Sequence, residues 1–189
     1  MVEDLNIVSK LEYDSQPMNI ETIQVVPFAR GIVADYLNTG IDVQYDLEFF
    51  DTPTVQECTI QGDERLLRRA VRNLIDNAMR HNGEGCKIAL SLDVEPSSML
   101  ALTVADNGRG CDTSRIGALM AQASTPDASY DAHGLGLTLV SRISIMHGGY
   151  VSFASEPGRG FTATMRIPVA MPQSEPTRPE QRESQANVR

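Results

Sequence analysis

The sequence predicts an α+β fold. The expected form is a two-layer α/β sandwich, a mixed and mostly antiparallel sheet with helices on one face. Three observations predict it. Seven segments read as strands and three or four as helices, and the two kinds do not alternate strictly. Helices fall between pairs of strands, which suits helices gathered on one side of a mixed sheet. The 189 residues are 41% hydrophobic and 22% charged, enough to bury the core of one ordinary domain and unlike a disordered or fibrous chain.

The opening MVEDLNIVSKLEY places Leu5, Val8 and Leu11 at helical spacing. It is too short to be stable alone and reads as the end of a longer helix. IETIQVV (20–26) reads as a strand, and Pro27 suits the first position of a helix running to Asn38-Thr39-Gly40. IDVQYDLEF and TVQECTI alternate, so each reads as a strand with one buried face. Asp63 is a suitable N-cap for a helix over 63–82, which carries Leu67, Ala70, Val71, Leu74 and Ala78 at helical spacing and stops at Asn-Gly. CKIALSLDV and MLALTVAD read as strands joined by a turn around Glu95–Ser98. Residues 107–133 read as a loop with a weak helix, and GLGLTLVSRISIMHGG as an amphipathic helix capped by Gly148-Gly149. YVSFAS and FTATMRIPV form a hairpin across 156–160. The last nineteen residues hold three prolines and little to bury, and are expected to be disordered.

Sixteen basic against 25 acidic side chains give a net charge of −9, which argues against nucleic acid or an anionic membrane as partner. No apolar run approaches the ~18 residues of a membrane span. The acidic start does not read as a signal peptide. Cys58, Cys86 and Cys111 are odd in number and far apart, which implies a reducing compartment.

Three stretches carry chemistry. On the 63–82 helix, Asn73, Asn77 and Arg80 lie within about 60° of one another with His81 close by, about 120° from the apolar stripe. An amide oxygen is a hard neutral ligand for Mg²⁺, and an arginine one turn on suits a phosphate; a solvated helix face is the plainer alternative. Asp106-Asn107-Gly108-Arg109-Gly110 follows a strand directly. It reads as a turn, or as a carboxylate accepting from the exocyclic amine of adenine, with glycines that let backbone approach a flat ring. His133-Gly134-Leu135-Gly136-Leu137 opens a helix, whose N-terminal N–H groups favour a phosphate chain; a flexible helix start is the alternative. The third glycine of a dinucleotide fingerprint is missing, and no Gly-Lys pair exists for a P-loop, the only lysines being Lys10 and Lys87.

Asn77 precedes Asp106 by 29 residues, and Asp106 precedes Gly134 by 28. In this order the three elements resemble the N, G1 and G2 boxes of the GHKL ATP-binding fold (the Bergerat fold), shared by sensor histidine kinases, Hsp90-type chaperones, gyrase-type topoisomerases and MutL proteins. NLIDNAMRH looks like the N box of histidine kinases, because the position four before Asn77 is Asn73 where the hydrolases and anti-sigma kinases carry Glu. An amide cannot take a proton near neutral pH, which disfavours hydrolysis. The closing HGGYVSFASEPGRGFTATMRIP and the opening DLNIVSKLEYDSQPMNIE resemble the last hairpin and the leading junction of the same catalytic domains.

The resemblance implies ATP and Mg²⁺ as cofactors, with Asn77 on the metal, Asn73 beside the phosphates and Arg80 at the terminal phosphates; Asn73, Asn77 and Arg80 are the implied catalytic set. His81 would cover the adenine and Asp106 would read it, with Gly108 and Gly110 beneath the ring. Gly134, Leu135, Gly136 and Leu137 would close the ATP lid of 111–133. The implied organisation is the end of a dimerisation helix with a linker (1–14), an ATP-binding catalytic domain (15–169) and a tail (170–189). The implied activity is donation of the γ-phosphate of Mg-ATP to a histidine on a separate dimerisation module, as in a two-component sensor histidine kinase. The alternatives are a degenerate kinase acting as a nucleotide-binding regulatory scaffold, and a serine kinase of anti-sigma type. Implied partners are the dimerisation helices of the same kinase and a response regulator, with no nucleic acid and no membrane contact by this stretch. The stretch is expected to be monomeric, within a homodimeric, membrane-anchored bacterial sensor whose catalytic part is cytoplasmic.

His81, His133 and His147 lie in or near the boxes, so none is expected to accept phosphate. Two features depart from the pattern: no Phe lies between 51 and 152, where the lid's F box would fall, and Ala132 replaces the first glycine of the lid motif. Arg65, Arg68, Arg69 and Arg72 form a basic stripe, read as solvated surface or as a patch that steers ATP.

Overall fold

Seven strands and three helices are present among the described residues of the computed structural model, which are 17–40, 44–112, 114, 117 and 135–170. The expected leading helix, most of the lid, Gly134 and the tail beyond 170 lie outside them. In chain order the elements are β1 (Glu21–Gln24), α1 (Val25–Leu37), β2 (Asp46–Asp51), a 3-10 turn (Pro53–Val55), β3 (Thr59–Gly62), α2 (Glu64–His81), β4 (Lys87–Glu95), β5 (Met99–Asp106), α3 (Leu135–Met146), β6 (Tyr150–Ser155) and β7 (Phe161–Pro168).

Strands β2-β4-β5-β7-β6 form the main sheet, in which only the β2–β4 pair is parallel, and β1 pairs with β3 in a separate antiparallel ribbon. The mixed, mostly antiparallel sheet is therefore as expected. Two local readings are corrected. Val25 and Val26 belong to α1 and are buried beneath it, so Pro27 is its third residue, still within the first turn whose N–H groups have no helical acceptor. TVQECTI is not one strand: Val55 closes the 3-10 turn, and Cys58 N–H donates to Val55 O before β3 begins.

Register explains the layering. Leu90, Val104, Ala163 and Phe153 form one cross-strand row, and Leu92, Leu102, Met165 and Val151 the next. All eight are buried and share one core with the apolar faces of the helices. The alternate row, Ser91, Thr103, Thr164 and Ser152, lies on the opposite face and is only half-buried. The period of two thus sorts side chains between helix layer and open face.

Helix α2 follows its sequence signals closely. Asp63 Oδ1 accepts from Leu66 N–H at 3.1 Å as an N-cap, and the predicted stripe is buried together with Leu66 and Ile75. Its start is tied to the end of α3 by His147, which is 8% exposed. His147 Nε2 accepts from Asp63 N–H at 3.0 Å, which leaves the ring proton on Nδ1 to donate to Ile143 O at 2.7 Å. Gly148, at φ +72°, then ends the helix as predicted.

Candidate functional site

The site residues on α2 occupy the flank beside its buried stripe. Asn73 and Asn77 are half-buried and Arg80 is exposed. The Asn73 amide donates to Arg69 O at 3.0 Å, which turns its Oδ1 towards α3: a Cβ added to Gly136 would lie 3.1 Å from that oxygen. Glycine at the first turn of α3 therefore lets the helix start approach Asn73. The Asn77 carboxamide makes no hydrogen bond and Arg80 no ion pair with the described residues. An amide with free acceptor capacity on a half-buried flank fits a hard divalent cation, and a free guanidinium fits phosphate oxygens.

Asp106 reaches the same side of the sheet by register. It continues the alternation of Leu100, Leu102 and Val104, all buried on the helix-facing side, and its pairing partner is the buried Ile88. A carboxylate thus stands where the pattern calls for an apolar side chain. Its Oδ1 accepts from Gly108 N–H at 2.9 Å and Phe161 N–H at 3.3 Å, and no described residue donates to Oδ2. An ionised carboxylate only accepts, so Oδ2 is an open acceptor on the helix side of the sheet.

The loop after Asp106 is fixed on two sides. A Cβ on Gly108 would fall 1.8 Å from Asn82 Oδ1, and one on Gly110, at φ +62°, would fall 2.1 Å from Glu156 O. Backbone on both sides and a left-handed φ demand glycine at 110, and the Asn82 carboxamide crowds position 108, reasons that the sequence did not display. Asn82 is the residue that sequence reading missed. Its Nδ2 donates to Ala78 O at 2.9 Å and its Oδ1 accepts from Arg109 N–H at 3.1 Å. In sequence it signals only a helix stop.

These contacts set the three stretches side by side. Along α2, Asn73 meets the start of α3 and Asn82 meets the 106–110 loop, about 13 Å apart at 1.5 Å per residue, with Asn77 between them. A cleft of about 420 Å³ opens at the Asn82 end, walled by His81, Asn82, Cys86, Asn107 and Arg109 among others. Asn73, Asn77 and Asp106 lie outside its walls, so this cleft borders the convergence and is not its centre. Burial pushes the Cys86 thiol up, and the nearby Asp106 charge adds to the effect against a hydrogen bond from Asn107 that lowers it. Leu137 is buried in α3, and Leu135 is the first residue of that helix.

The arginine stripe is largely compensated. Arg68 pairs with Asp35 and Glu64, Arg72 with Asp35, and Arg65 lies 3.8 Å from Asp63. Such pairing favours the solvated-surface reading over steering.

Residues 62–171 match the family of histidine kinase-, DNA gyrase B- and HSP90-like ATPases, a span that holds α2, the Asp106 loop and the glycine-rich start of α3. The chain belongs to this ATPase family. Among relatives it is 28% identical over 169 residues to the sensor histidine kinase YvrG of Bacillus subtilis, covering 87% of this chain and 28% of YvrG. It is 32% identical over 152 residues to the sensor protein BasS of Escherichia coli, covering 79% of this chain and 41% of BasS. The chain thus spans well under half the length of these relatives. Full-length ShkA in complex with AMPPNP superposes with a TM-score of 0.74 at 22% identity, over 90% of this chain and 35% of ShkA, a likeness that carries the fold. That fold is the α+β Bergerat arrangement expected of a histidine kinase-, DNA gyrase B- and HSP90-like ATPase domain. No described helix is long and apolar enough to cross a membrane.

Proposed function

We propose that this chain is the catalytic domain of a two-component sensor histidine kinase, which binds Mg-ATP and presents the γ-phosphate to a histidine on a dimerisation module. The observation that carries the reading is the position of Asp106. Its free acceptor stands on the face of the sheet that packs against the helices, among them α2 with Asn77 and Arg80.

In this reading the Asp106 carboxylate accepts from the adenine amine, and His81 covers the ring. Asn77 supplies an amide oxygen to Mg²⁺, Asn73 flanks the phosphates, and Arg80 neutralises the terminal one. Gly134, Leu135, Gly136 and Leu137 offer the phosphate chain the N-terminus of α3. The bound magnesium would lower the charge on the β- and γ-phosphates. Phosphoryl transfer of this kind asks the protein for positioning and charge neutralisation, which carboxamides and an arginine supply without a basic side chain. Asn73, with its amide committed to Arg69 O, is no base for water or a serine hydroxyl, which weighs against the hydrolase and serine-kinase alternatives. The partners on this reading are the dimerisation helices of the same homodimeric kinase and a response regulator, in the cytoplasm.

The test is phosphate transfer in trans. The 189-residue chain with labelled Mg-ATP is expected to label a separately prepared dimerisation module bearing its histidine, and not to label itself. Tight ATP binding without any transfer would leave the scaffold reading instead, and absence of ATP binding would end both.

A further inference from the structure

The geometry points to Asn82 as a positioning residue that sets the base-reading loop against α2 and thereby the choice of adenine over guanine. The inference rests on the nucleotide reading above and deepens it. The loop is held mostly from the sheet side. Asn107 exchanges hydrogen bonds with Lys87 of β4: Lys87 N–H donates to Asn107 Oδ1 at 2.9 Å and Asn107 N–H to Lys87 O at 3.2 Å. Phe161 N–H of β7 reaches Asp106 Oδ1 at 3.3 Å, and Gly158 N–H of the β6–β7 turn reaches Arg109 O at 2.7 Å. All of these tie the loop to the sheet and its hairpin. The bond from Arg109 N–H to Asn82 Oδ1 is of another kind, because it ties the loop to the end of α2.

That distinction matters for the ligand. The carboxylate that would read the base stands on the sheet, whereas Asn77 and Arg80, which would take the metal and phosphates, stand on α2. One nucleotide must satisfy both at once, so the spacing between loop and helix sets where the base lies against Asp106. The orientation of the Asn82 amide is fixed by its partners: the reverse flip would set N–H against the Arg109 N–H and oxygen against Ala78 O. The carboxamide also packs against Gly108, with its Cγ 2.1 Å from where a Cβ would be, so it supports the loop by packing as well.

A carboxylate alone does not choose adenine. It accepts from the 6-amine of adenine, and it accepts equally well from the N1–H and 2-amine of guanine if it sits differently against the ring. Discrimination therefore depends on where the oxygen is held, and a site loses it when the holding is loosened.

The experiment uses the 189-residue chain with Mg²⁺ and a fluorescent ATP analogue, displaced by ATP or by GTP, with thermal melting as the check on folding. Asn82→Ala removes the acceptor and the packing. Asn82→Asp keeps an acceptor oxygen for Arg109 N–H but turns its second oxygen towards Ala78 O. Asn82→Ala is expected to weaken ATP by about tenfold, the effect of one lost hydrogen bond and a slackened loop, while GTP changes by less than about twofold. The ATP-over-GTP ratio falls accordingly, and Asn82→Asp, which keeps the Arg109 bond but loses the one to Ala78, is expected to lower it by less than Asn82→Ala does. Should Asn82→Ala fail to fold, Asn82→Ser is the milder truncation, and the same fall in ratio is expected. An unchanged ratio in the folded truncation, whether or not both affinities drop together, would overturn the positioning role and leave the nucleotide reading standing. A starting chain that binds neither nucleotide would overturn both.

Discussion

Asp106→Asn isolates the charge of the base-reading group from its structural duty. In the fold, Oδ1 accepts from Gly108 N–H at 2.9 Å and Phe161 N–H at 3.3 Å, while Oδ2 is left without a donor among the described residues. Asparagine retains one oxygen, and turning that oxygen to the Oδ1 position preserves both loop bonds. The amide NH₂ then occupies the Oδ2 position and faces the adenine amine, donor against donor. A hydrogen bond to a charged acceptor contributes about 1.5–3 kcal/mol, so its loss corresponds to roughly 10- to 150-fold weaker ATP binding. The two loop bonds, now to a neutral acceptor, weaken by less than about 1 kcal/mol in total, or a fall in Tm of at most about 2–4 °C for a chain of this size. The assay is displacement of a fluorescent ATP analogue in Mg²⁺, paired with a thermal melt of the same sample. Unaltered affinity in a folded Asp106→Asn chain would refute the claim that this carboxylate reads the nucleotide, and equal loss of affinity for inorganic triphosphate would show that the residue acts on something other than the base.

Three further outcomes follow from the frame around the site. Asp63→Ala removes both the cap on Leu66 N–H and the Oδ2 acceptor of Asn19 N–H, and is expected to cost about 1–3 kcal/mol, read from urea unfolding. Gly62→Ala would set a Cβ 2.7 Å from His147 Cδ2 and 2.8 Å from Leu67 Cδ1 where α2 and α3 are joined, and is expected to lower stability by about 1–3 kcal/mol in the same assay. Alkali should destabilise the fold. Burial raises Tyr36, with its hydrogen bond to Asp76 adding to the shift, and burial also raises Cys58 and Cys86. Each group holds its proton more tightly folded than unfolded. The stability they contribute is therefore complete below the ordinary thiol value of about 8.5 and is lost as pH rises above it, which a series of urea midpoints from pH 7 to 10 measures; a midpoint that rises across that range would contradict the assignment.

Much of this architecture is legible before folding because it rests on periodicity. The Asp63 cap and the stripe of Leu67, Ala70, Val71, Leu74 and Ala78 define α2 almost to the residue. The alternation of Leu100, Leu102 and Val104 determines the face on which Asp106 stands, since a strand cannot change sides without a bulge. Periodicity also misleads where two buried residues belong to different elements. Val55 and Ile60 are both buried, yet a turn separates them, so TVQECTI imitates a strand. Val25 and Val26 favour a strand by their branching, and their burial within α1 overrides that preference. Asn82 was illegible for another reason. Its bond to Arg109 spans 27 residues and depends on where the helix ends relative to a loop, which no local pattern encodes. The motif marks the glycines at 108 and 110, but the Asn82 amide that crowds the first and the Glu156 carbonyl that excludes a side chain at the second come from distant parts of the chain.

A crystal structure of the chain grown with Mg²⁺ and a non-hydrolysable ATP analogue would show where base, metal and phosphates lie. The adenine amine is expected within hydrogen-bond distance of Asp106 Oδ2, the metal on the Asn77 amide oxygen, and the triphosphate at the start of α3. A nucleotide bound elsewhere, or one whose base makes no contact with Asp106, would contradict it.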